Sequence, residues 1–208
     1  MPARDDILAR IRGALANTPA TATSPAQHAR TVEPGVPILE GDALVERFVD
    51  RLVDYKAAVT RCAADELPIA IGEALLGVEI LVVPEDLPSG WLSQYAKNVL
   101  RDKEHDRAEL TAAGAVLTGC ALAIAETGTI VLDAGAAQGR RALSLIPDHH
   151  VCVVRADQVL ADVGDAVPRL VPSRPLTWIS GPSATSDIEL DRVEGVHGPR
   201  RLHVIIPA

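Results

Sequence analysis

The sequence predicts an α/β domain with a mixed, largely parallel sheet layered with helices. Apolar segments short enough for strands alternate with segments of helical period through the middle of the chain. That order is typical of a sheet covered by helices on both faces. Hydrophobic residues make up 48% of the 208 residues, enough for one sizeable core. Aromatic residues make up only 2%, so Ala, Val, Leu and Ile must fill that core.

The N-terminal segment is predicted to be a helix on a linker. Apolar residues recur at helical spacing from Ile7 to Leu15, which predicts an amphipathic helix over residues 1–15. Residues 16–37 contain four prolines and no apolar period, and are predicted to be a flexible linker. The apolar face of such a helix needs a surface to pack on. That surface is expected on the same chain, on a second copy in a homo-oligomer, or on a foreign partner.

The α/β domain is predicted to span residues 38–208. A helix capped by Asp42 is expected first, followed by a strand over 58–62, a helix over 65–76 and a buried strand over 78–83. The next stretch is predicted to be mostly helical. Its core candidates are Trp91, Leu92, Tyr95 and Leu100.

Short strands dominate the second half of the domain. They are predicted over residues 115–117, 121–125, 129–132, 151–154, 177–180 and 202–206. A helix is predicted over 156–163. The strands on either side of Glu126 are too close in sequence for a helical crossover. We therefore expect a hairpin, or additional antiparallel strands at the sheet edge.

Charge and apolar run lengths exclude several classes of protein. The net charge of −8 opposes binding to nucleic acid or to anionic lipid. No apolar run approaches the roughly 20 residues that a membrane span needs. The charged N-terminus has no apolar segment of the kind found in secretory signals. A cytoplasmic location is therefore expected.

The cysteines indicate neither a disulfide framework nor a metal centre. Cys62, Cys120 and Cys152 are scattered singly, whereas an iron–sulfur cluster normally needs four thiolates with some at close spacing. His149 and His150 are adjacent, and neighbours on an extended chain point to opposite faces, which makes them a poor chelating pair. We expect no metal site in this chain. His150 is a candidate proton donor or general base.

The turn Glu126-Thr127-Gly128-Thr129 is the first candidate site. Gly128 allows a tight reversal, because glycine takes positive φ without steric cost. The turn places one carboxylate and two hydroxyls at the rim of the sheet. From these residues alone, a plain strand connection and a functional site both remain open.

Loops near the C-terminus form the second candidate site. Gly181-Pro182-Ser183 follows a predicted strand, the usual position of a ligand loop in open α/β sheets. Asp187 and Glu189 project to one side if that segment is extended. The loop 195–200 then combines His197, a group that can titrate, with Gly198 and with the cation of Arg200.

Four separated motifs carry a family resemblance. They are residues 123–132, residues 144–147 with His150, residues 181–183 with 187–189, and residues 195–200. In this order they closely resemble the lactate-utilisation (LUD) domain family, in its LutC/YkgG branch. The opening helix and the loose linker after it are similar to that branch as well.

The resemblance implies a fold like that of the NagB/RpiA/CoA-transferase group. It also implies a role in oxidising L-lactate to pyruvate, alongside two partner proteins that carry cysteine-rich and iron–sulfur segments. The clusters are then expected on those partners, with no cofactor bound by this chain alone. The chain is expected to be an accessory subunit of the lactate-oxidising complex.

A second function stays open at this point. The chain could instead be a stand-alone enzyme or binding domain for a phosphosugar, an acyl-CoA or a folate. In that case Glu126 is the expected nucleophile or general base, His150 or His197 exchanges protons, and Arg200 holds an anion. The 126–129 turn, the 181–183 loop with its acidic pair, and Gly198 would line the cleft.

Overall fold

The computed structural model of the protein describes residues 2–16, 39–102, 106–185, 193–194 and 198–208. Contacts divide the chain into two compact units, Met1–Val36 and Pro37–Ala208. In the first unit a helix, α1, spans Pro2–Ala16, over the segment where the sequence predicts one. Its Ile7 and Ile11 side chains are exposed. The predicted linker lies almost entirely outside the described residues, and the predicted division of the chain at residues 15 and 37 stays a prediction.

The second unit holds the remaining helices. Within the described residues these are α2 (Gly41–Asp54), α3 (Leu67–Ala74), α4 (Arg107–Ala112), α5 (Arg141–Leu145) and α6 (Val163–Ala166). Short 3₁₀ turns cover Ala64–Glu66, Ser89–Leu92, Ala156–Gln158 and Val167–Arg169. Helix α2 buries Val45, Phe48 and Leu52, whose spacing places them on one face.

Strands alternate with these helices. Within the described residues they are β1 (Ala58–Cys62), β2 (Ile80–Val83), β3 (Asn98–Arg101), β4 (Ala115–Thr118), β5 (Leu122–Ile124), β6 (Thr129–Leu132), β7 (His149–Val153), β8 (Val159–Leu160), β9 (Thr177–Ile179), β10 (Ala184–Thr185), β11 (Val193–Glu194) and β12 (Arg201–Pro207). Strands β4 and β7 are buried along their whole length and β2 along most of it, as strands covered on both faces are.

Six of the described strands form one wholly parallel sheet in the order β1-β12-β7-β4-β2-β3. Helix α3 packs on one face, where Leu67, Ile71 and Leu75 meet Leu117 and Val151. Helices α2, α4 and α5 pack on the opposite face. The predicted class, a mixed and largely parallel sheet layered with helices, is confirmed.

A second sheet lies on the face that α2 covers. Its order among the described strands is β8-β5-β6-β9, with β6 antiparallel to both β5 and β9 and β8 parallel to β5. Ala123, Ile130 and Leu132 of this sheet share a core with Val204 and Ile206 of the parallel sheet. The predicted hairpin is therefore present, but it belongs to a separate sheet rather than to the edge of the main one. Strands β10 and β11 pair with each other.

Three local predictions were wrong. Residues 89–101 are a 3₁₀ turn and strand β3 rather than mostly helix. Residues 156–163 are a 3₁₀ turn and strand β8, because this segment pairs with β5. Asp42 does not cap α2: Glu40 holds the cap position, and Asp42 pairs with Arg61 of β1 instead.

None of the helices in the described part of the chain is both long and apolar enough to cross a membrane.

Candidate functional site

The Glu126–Thr129 turn joins β5 to β6 as a tight hairpin. Gly128 at its tip has φ of +61°. A β-carbon built on Gly128 would lie 2.7 Å from Cβ of Arg51, so the turn rests directly on α2. Glycine is needed here both for the backbone conformation and for this close approach.

A chain of hydroxyl groups runs from this turn to the loop after β9. Thr127 Oγ1 lies 2.7 Å from Thr129 Oγ1, which in turn lies 2.8 Å from Ser180 Oγ. Glu126 is exposed, and its main-chain N–H donates to the carbonyl of Ala161 at 3.0 Å. The turn is thus tied to the second predicted site through Thr129 and Ser180.

The Ser180–Ser183 loop is held against the same helix. Gly181 has φ of +85°, and a β-carbon there would lie 2.6 Å from Cβ of Tyr55. The main-chain N–H of Ser183 donates to the carbonyl of Pro199 at 2.8 Å, which brings residues 198–199 beside the loop. The two loops that form the second predicted site therefore lie side by side.

A cleft of about 240 Å³ opens where these loops meet the parallel sheet. Its polar lining, within the described residues, is four hydroxyls and one imidazole: Ser144, His150, Thr177, Ser180 and Ser183. The other described lining residues are Leu145, Trp178, Ile179, Gly181, Pro182, Gly198, Pro199 and Leu202. None of these described residues carries a charged side chain.

The cleft lies at the amino ends of the parallel strands. His150 and Leu202 are each the second residue of their strands, β7 and β12. Sites in open α/β sheets usually lie at the carboxyl ends. Here the small sheet covers that part of the sheet face, so Thr177 and Ile179 of β9 form the opposite wall. Trp178 lies between these two residues on β9. Its pairing partner on β6, Val131, belongs to a separate core cluster on the other face of the small sheet.

His150 is the most unusual polar group in the cleft. Its side chain is 1% exposed. Nε2 lies 2.8 Å from the hydroxyl of Thr118, which is itself buried. Nδ1 is buried and has no hydrogen-bond partner among the described residues. Burial, together with the smaller effect of the charge that His149 carries when protonated, lowers the pKa of His150 to about 4, so the ring is neutral at physiological pH.

His149 points to the opposite face of the sheet, as strand alternation requires. It is also buried with an unpartnered Nδ1 among the described residues, and desolvation lowers its pKa to about 4. It does not line the cleft. The two histidines are therefore both buried, but their side chains lie on opposite faces of the sheet.

The structure brings together only part of the predicted site. His150, Gly181, Pro182, Ser183 and Gly198 all line the cleft. Glu126, Thr127, Gly128 and Thr129 lie outside the described lining, and the Thr129–Ser180 contact connects this turn to it. Asp187, Glu189 and His197 lie outside the described residues. Whether any of these groups is catalytic stays a prediction.

Arg200 is engaged by a carboxylate of its own chain. Its Nε and Nη2 donate to the two oxygens of Asp148 at 2.7 and 2.9 Å. These bonds hold the pKa of Asp148 below its ordinary value. Arg200 therefore ties the start of β12 to the start of β7, beside the cleft but not in its described lining.

The loop 135–141 is also occupied by internal contacts. Asp133 accepts from the Gly135 N–H at 3.0 Å and from Arg174 Nη1 at 2.7 Å, and Arg140 pairs with Asp102. Gly135 and Arg140 of this loop thus bind carboxylates of the protein itself.

Sequence reasoning missed Thr118 and Leu202 as parts of the site. Thr118 meets His150 only because β4 and β7 pair with Val116 opposite His150. No local sequence pattern predicts that pairing. Ser144 and Leu145 did carry a signal, since they fall inside one of the four motifs of the resemblance.

The cysteines do not form a metal site in the structure. Cys120 and Cys152 are buried in one core cluster, and Cys62 is half-buried on the opposite side of the sheet. The described residues contain no group of three or more His, Cys, Asp or Glu side chains placed to hold a metal ion.

The chain is thus an α/β protein with a cleft between a parallel sheet and a smaller mixed sheet, and the described lining of this cleft carries no charged side chain. The LUD domain profile matches residues 88–206, more than half of the chain, and includes every cleft residue named above. The chain belongs to the LUD domain family.

Two relatives and one solved structure are informative. The chain is 56% identical over 168 residues to lactate utilization protein C of Deinococcus radiodurans, covering 78% of this chain and 79% of that protein. It is 38% identical over 93 residues to the uncharacterized protein YkgG of Escherichia coli, covering 40% of this chain and 39% of that protein. A crystal structure of a DUF162 family protein from Deinococcus radiodurans has a TM-score of 0.72 and 47% identity, covering 82% of this chain and all of that one.

Proposed function

We propose that this protein is a lactate utilisation protein of the LutC type, acting with iron–sulfur partner subunits in the oxidation of L-lactate to pyruvate. The observation that carries the proposal is the 56% identity to the Deinococcus protein over more than three quarters of both chains. Identity of that level over so much of both chains is more than a shared fold supplies.

The role proposed for this chain is that of an accessory subunit. Oxidising lactate to pyruvate removes two electrons and two protons, which a carrier must accept. The three cysteines of this sequence lack the close spacing that ligates an iron–sulfur cluster. We therefore assign the electron-carrying clusters to the partner subunits.

Growth on lactate tests this function. A Deinococcus radiodurans strain that lacks its lactate utilization protein C is supplied with this gene and grown on L-lactate as carbon source. We expect growth to be restored, with growth on pyruvate the same in every strain. Failure to restore growth by a protein that accumulates to the level of the native one would contradict the proposal.

Co-purification tests the partners. Ile7 and Ile11 are exposed on α1, so Ile7→Asp or Ile11→Asp is expected to reduce recovery of iron–sulfur proteins with the full-length chain. Ala9→Asp on the same helix is the matched control. Equal recovery with all three variants would remove α1 from the docking surface.

The cleft favours a second candidate, a stand-alone binding domain or enzyme. The supporting observation is the buried, unpartnered Nδ1 of His150 in its wall. A thermal-shift screen of lactate, pyruvate, CoA esters and sugar phosphates tests it. Stabilisation by one compound that disappears in Glu126→Gln would assign that turn to the site, and loss in His150→Phe alone would assign the cleft.

A further inference from the structure

The loop of residues 134–139, between β6 and α5, lies across the carboxyl ends of two strands of the parallel sheet. The carbonyl of Ala137 accepts from the N–H of Gly119, just after β4, at 2.7 Å. The N–H of Ala137 donates to the carboxylate of Asp86, a short way after β2, at 2.9 Å. Strands β2 and β4 are neighbours in the sheet, so the loop bridges the crevice between their ends.

This crevice has the position at which open α/β sheets usually bind ligands. The strand that follows β2 along the chain, β3, lies on one side, and the strand of this sheet that follows β4, β7, lies on the other. Ligands in such sheets bind outside the carboxyl ends, where the strand order reverses in this way. The loop therefore fills a ligand position of the fold with the protein's own backbone.

The backbone of the loop is strained. Of the three described residues other than glycine that have positive φ, two are here: Ala134 at +56° and Ala137 at +59°. The left-handed conformation brings the β-carbon of an alanine too close to the following carbonyl oxygen. Such residues persist where surrounding contacts hold them, and they cluster at sites that bind ligands or change conformation.

Little side-chain packing holds the loop down. It consists of three alanines, two glycines and Gln138, and only the side chain of Gln138 is buried. The flanking residues are anchored separately: Asp133 binds Arg174 at 2.7 Å, and Arg140 binds Asp102 at 2.8 Å. A segment with few buried apolar contacts opens at a low free energy. The loop can therefore move while both of its ends stay in place.

Ser144 and Thr177 connect the loop to the cleft. Both line the cleft, and both line a small pocket of about 10 Å³ whose wall includes Ala134, Gln138 and Gly139. That volume holds about one water molecule at most. Moving the loop outward removes a wall of this pocket, which extends the cleft towards the ends of β2 and β4.

We propose that residues 134–139 form a lid. In the seated position the lid closes the crevice at the ends of β2 and β4, and in the open position it joins that crevice to the cleft. The strain at Ala134 and Ala137 favours the open position, whereas the bonds to Gly119 and Asp86 favour the seated one. The balance between them sets how often the crevice is accessible.

Hydrogen exchange of the full-length protein, followed by NMR at single amides, tests the lid. The N–H groups of Gly119 and Ala137 make the bonds that hold the lid in its seated position. We expect both to exchange at least ~100-fold faster than the slowest amides of β7, because a local opening is enough to release them. Exchange at the rate of those β7 amides, through global unfolding alone, would overturn the proposal.

Two variants shift the balance in opposite directions. Ala137→Gly should slow exchange of the Gly119 N–H by about threefold or more, because relief of the strain exceeds the backbone entropy that glycine adds to the open loop. Asp86→Ala removes the acceptor of the Ala137 N–H, and should speed exchange at Gly119 by about threefold or more. Ala63→Gly is the matched control and should leave this exchange unchanged, because Ala63 is exposed with φ of −68° and carries no such strain.

Urea denaturation checks that each variant is folded. An exchange rate at Gly119 in Ala137→Gly that equals or exceeds the wild-type rate would overturn the lid, since the seated loop would then hold no strain to release. Unchanged exchange in Asp86→Ala would overturn it as well. The lid does not depend on the function proposed above, and these measurements use no substrate.

Discussion

Gly181 lies so close to Tyr55 that a β-carbon on the glycine would be 2.6 Å from Cβ of the tyrosine. One helical turn earlier, Gly128 makes the same kind of contact with Arg51. The hairpin turn and the cleft loop are therefore both positioned by the end of α2. Their glycines are explained by this packing, whatever chemistry the neighbouring side chains perform.

We expect Gly181→Ala to destabilise the protein by ~1–3 kcal/mol, since it combines a positive φ with a steric clash. Urea denaturation measures the change. Gly198→Ala is the control, because its β-carbon has ordinary contacts of 3.6 Å or more, and it is expected to stay within about 0.5 kcal/mol of wild type. Equal stability of the two variants would contradict the proposed packing role of Gly181.

The buried histidines predict a loss of stability in mild acid. The folded state lowers the pKa of His149 and His150 from 6.5 to about 4. The unfolded state therefore binds more protons between these values, and the free energy of unfolding falls as pH falls from about 6.5 to 4. Such a shift corresponds to ~3 kcal/mol at His150, where the ring is almost fully buried.

Denaturation at a series of pH values checks this dependence. His150→Phe removes one titrating group, so its stability should fall less steeply than that of wild type between pH 6.5 and 4. Asp133 and Asp148 titrate below their ordinary pKa of 3.8 and act in a lower window. An unchanged slope in His150→Phe would show that this ring is not held neutral.

The Thr129–Ser180 contact predicts energetic coupling between the turn and the cleft loop. Thr129→Val removes a buried hydroxyl while keeping the shape, and should cost ~1 kcal/mol. The double variant with Ser180→Ala should cost less than the sum of the single changes, because both remove the same bond. A double-mutant cycle on the free energy of unfolding measures this. Strict additivity would contradict the coupling.

The Asp133–Arg174 pair predicts that one cation supports the loop after β6. Desolvation acts to raise the pKa of Asp133, but bonds from Arg174, Gln138 and Gly135 outweigh it and lower that pKa. Arg174→Ala leaves a nearly buried carboxylate without its cation, and should cost ~1–3 kcal/mol. Arg169→Ala, at an exposed neighbouring arginine, is the control and should change stability by less than about 0.5 kcal/mol.

Most elements of the fold could be predicted from local pattern. Strands β1, β4, β6 and β12 are found within a residue or two of their predicted bounds, because short apolar runs have few alternatives in a buried sheet. The local pattern of residues 156–163 gave a wrong prediction, because Val159 and Leu160 form a strand only through their pairing with β5. That pairing is tertiary, and local propensity carries no information about it.

The candidate site, like the fold, could be predicted from the sequence only in part. The residue types can be read from the local sequence: the glycines at 128 and 181, the Ser- and Pro-bearing loops, and a histidine that strand alternation places on one face of β7. Which of these residues meet depends on the tertiary fold. Parallel pairing set Thr118 beside His150, and the small sheet placed β9 across from β7. Contacts between distant segments depend on strand order and register, which no single segment encodes.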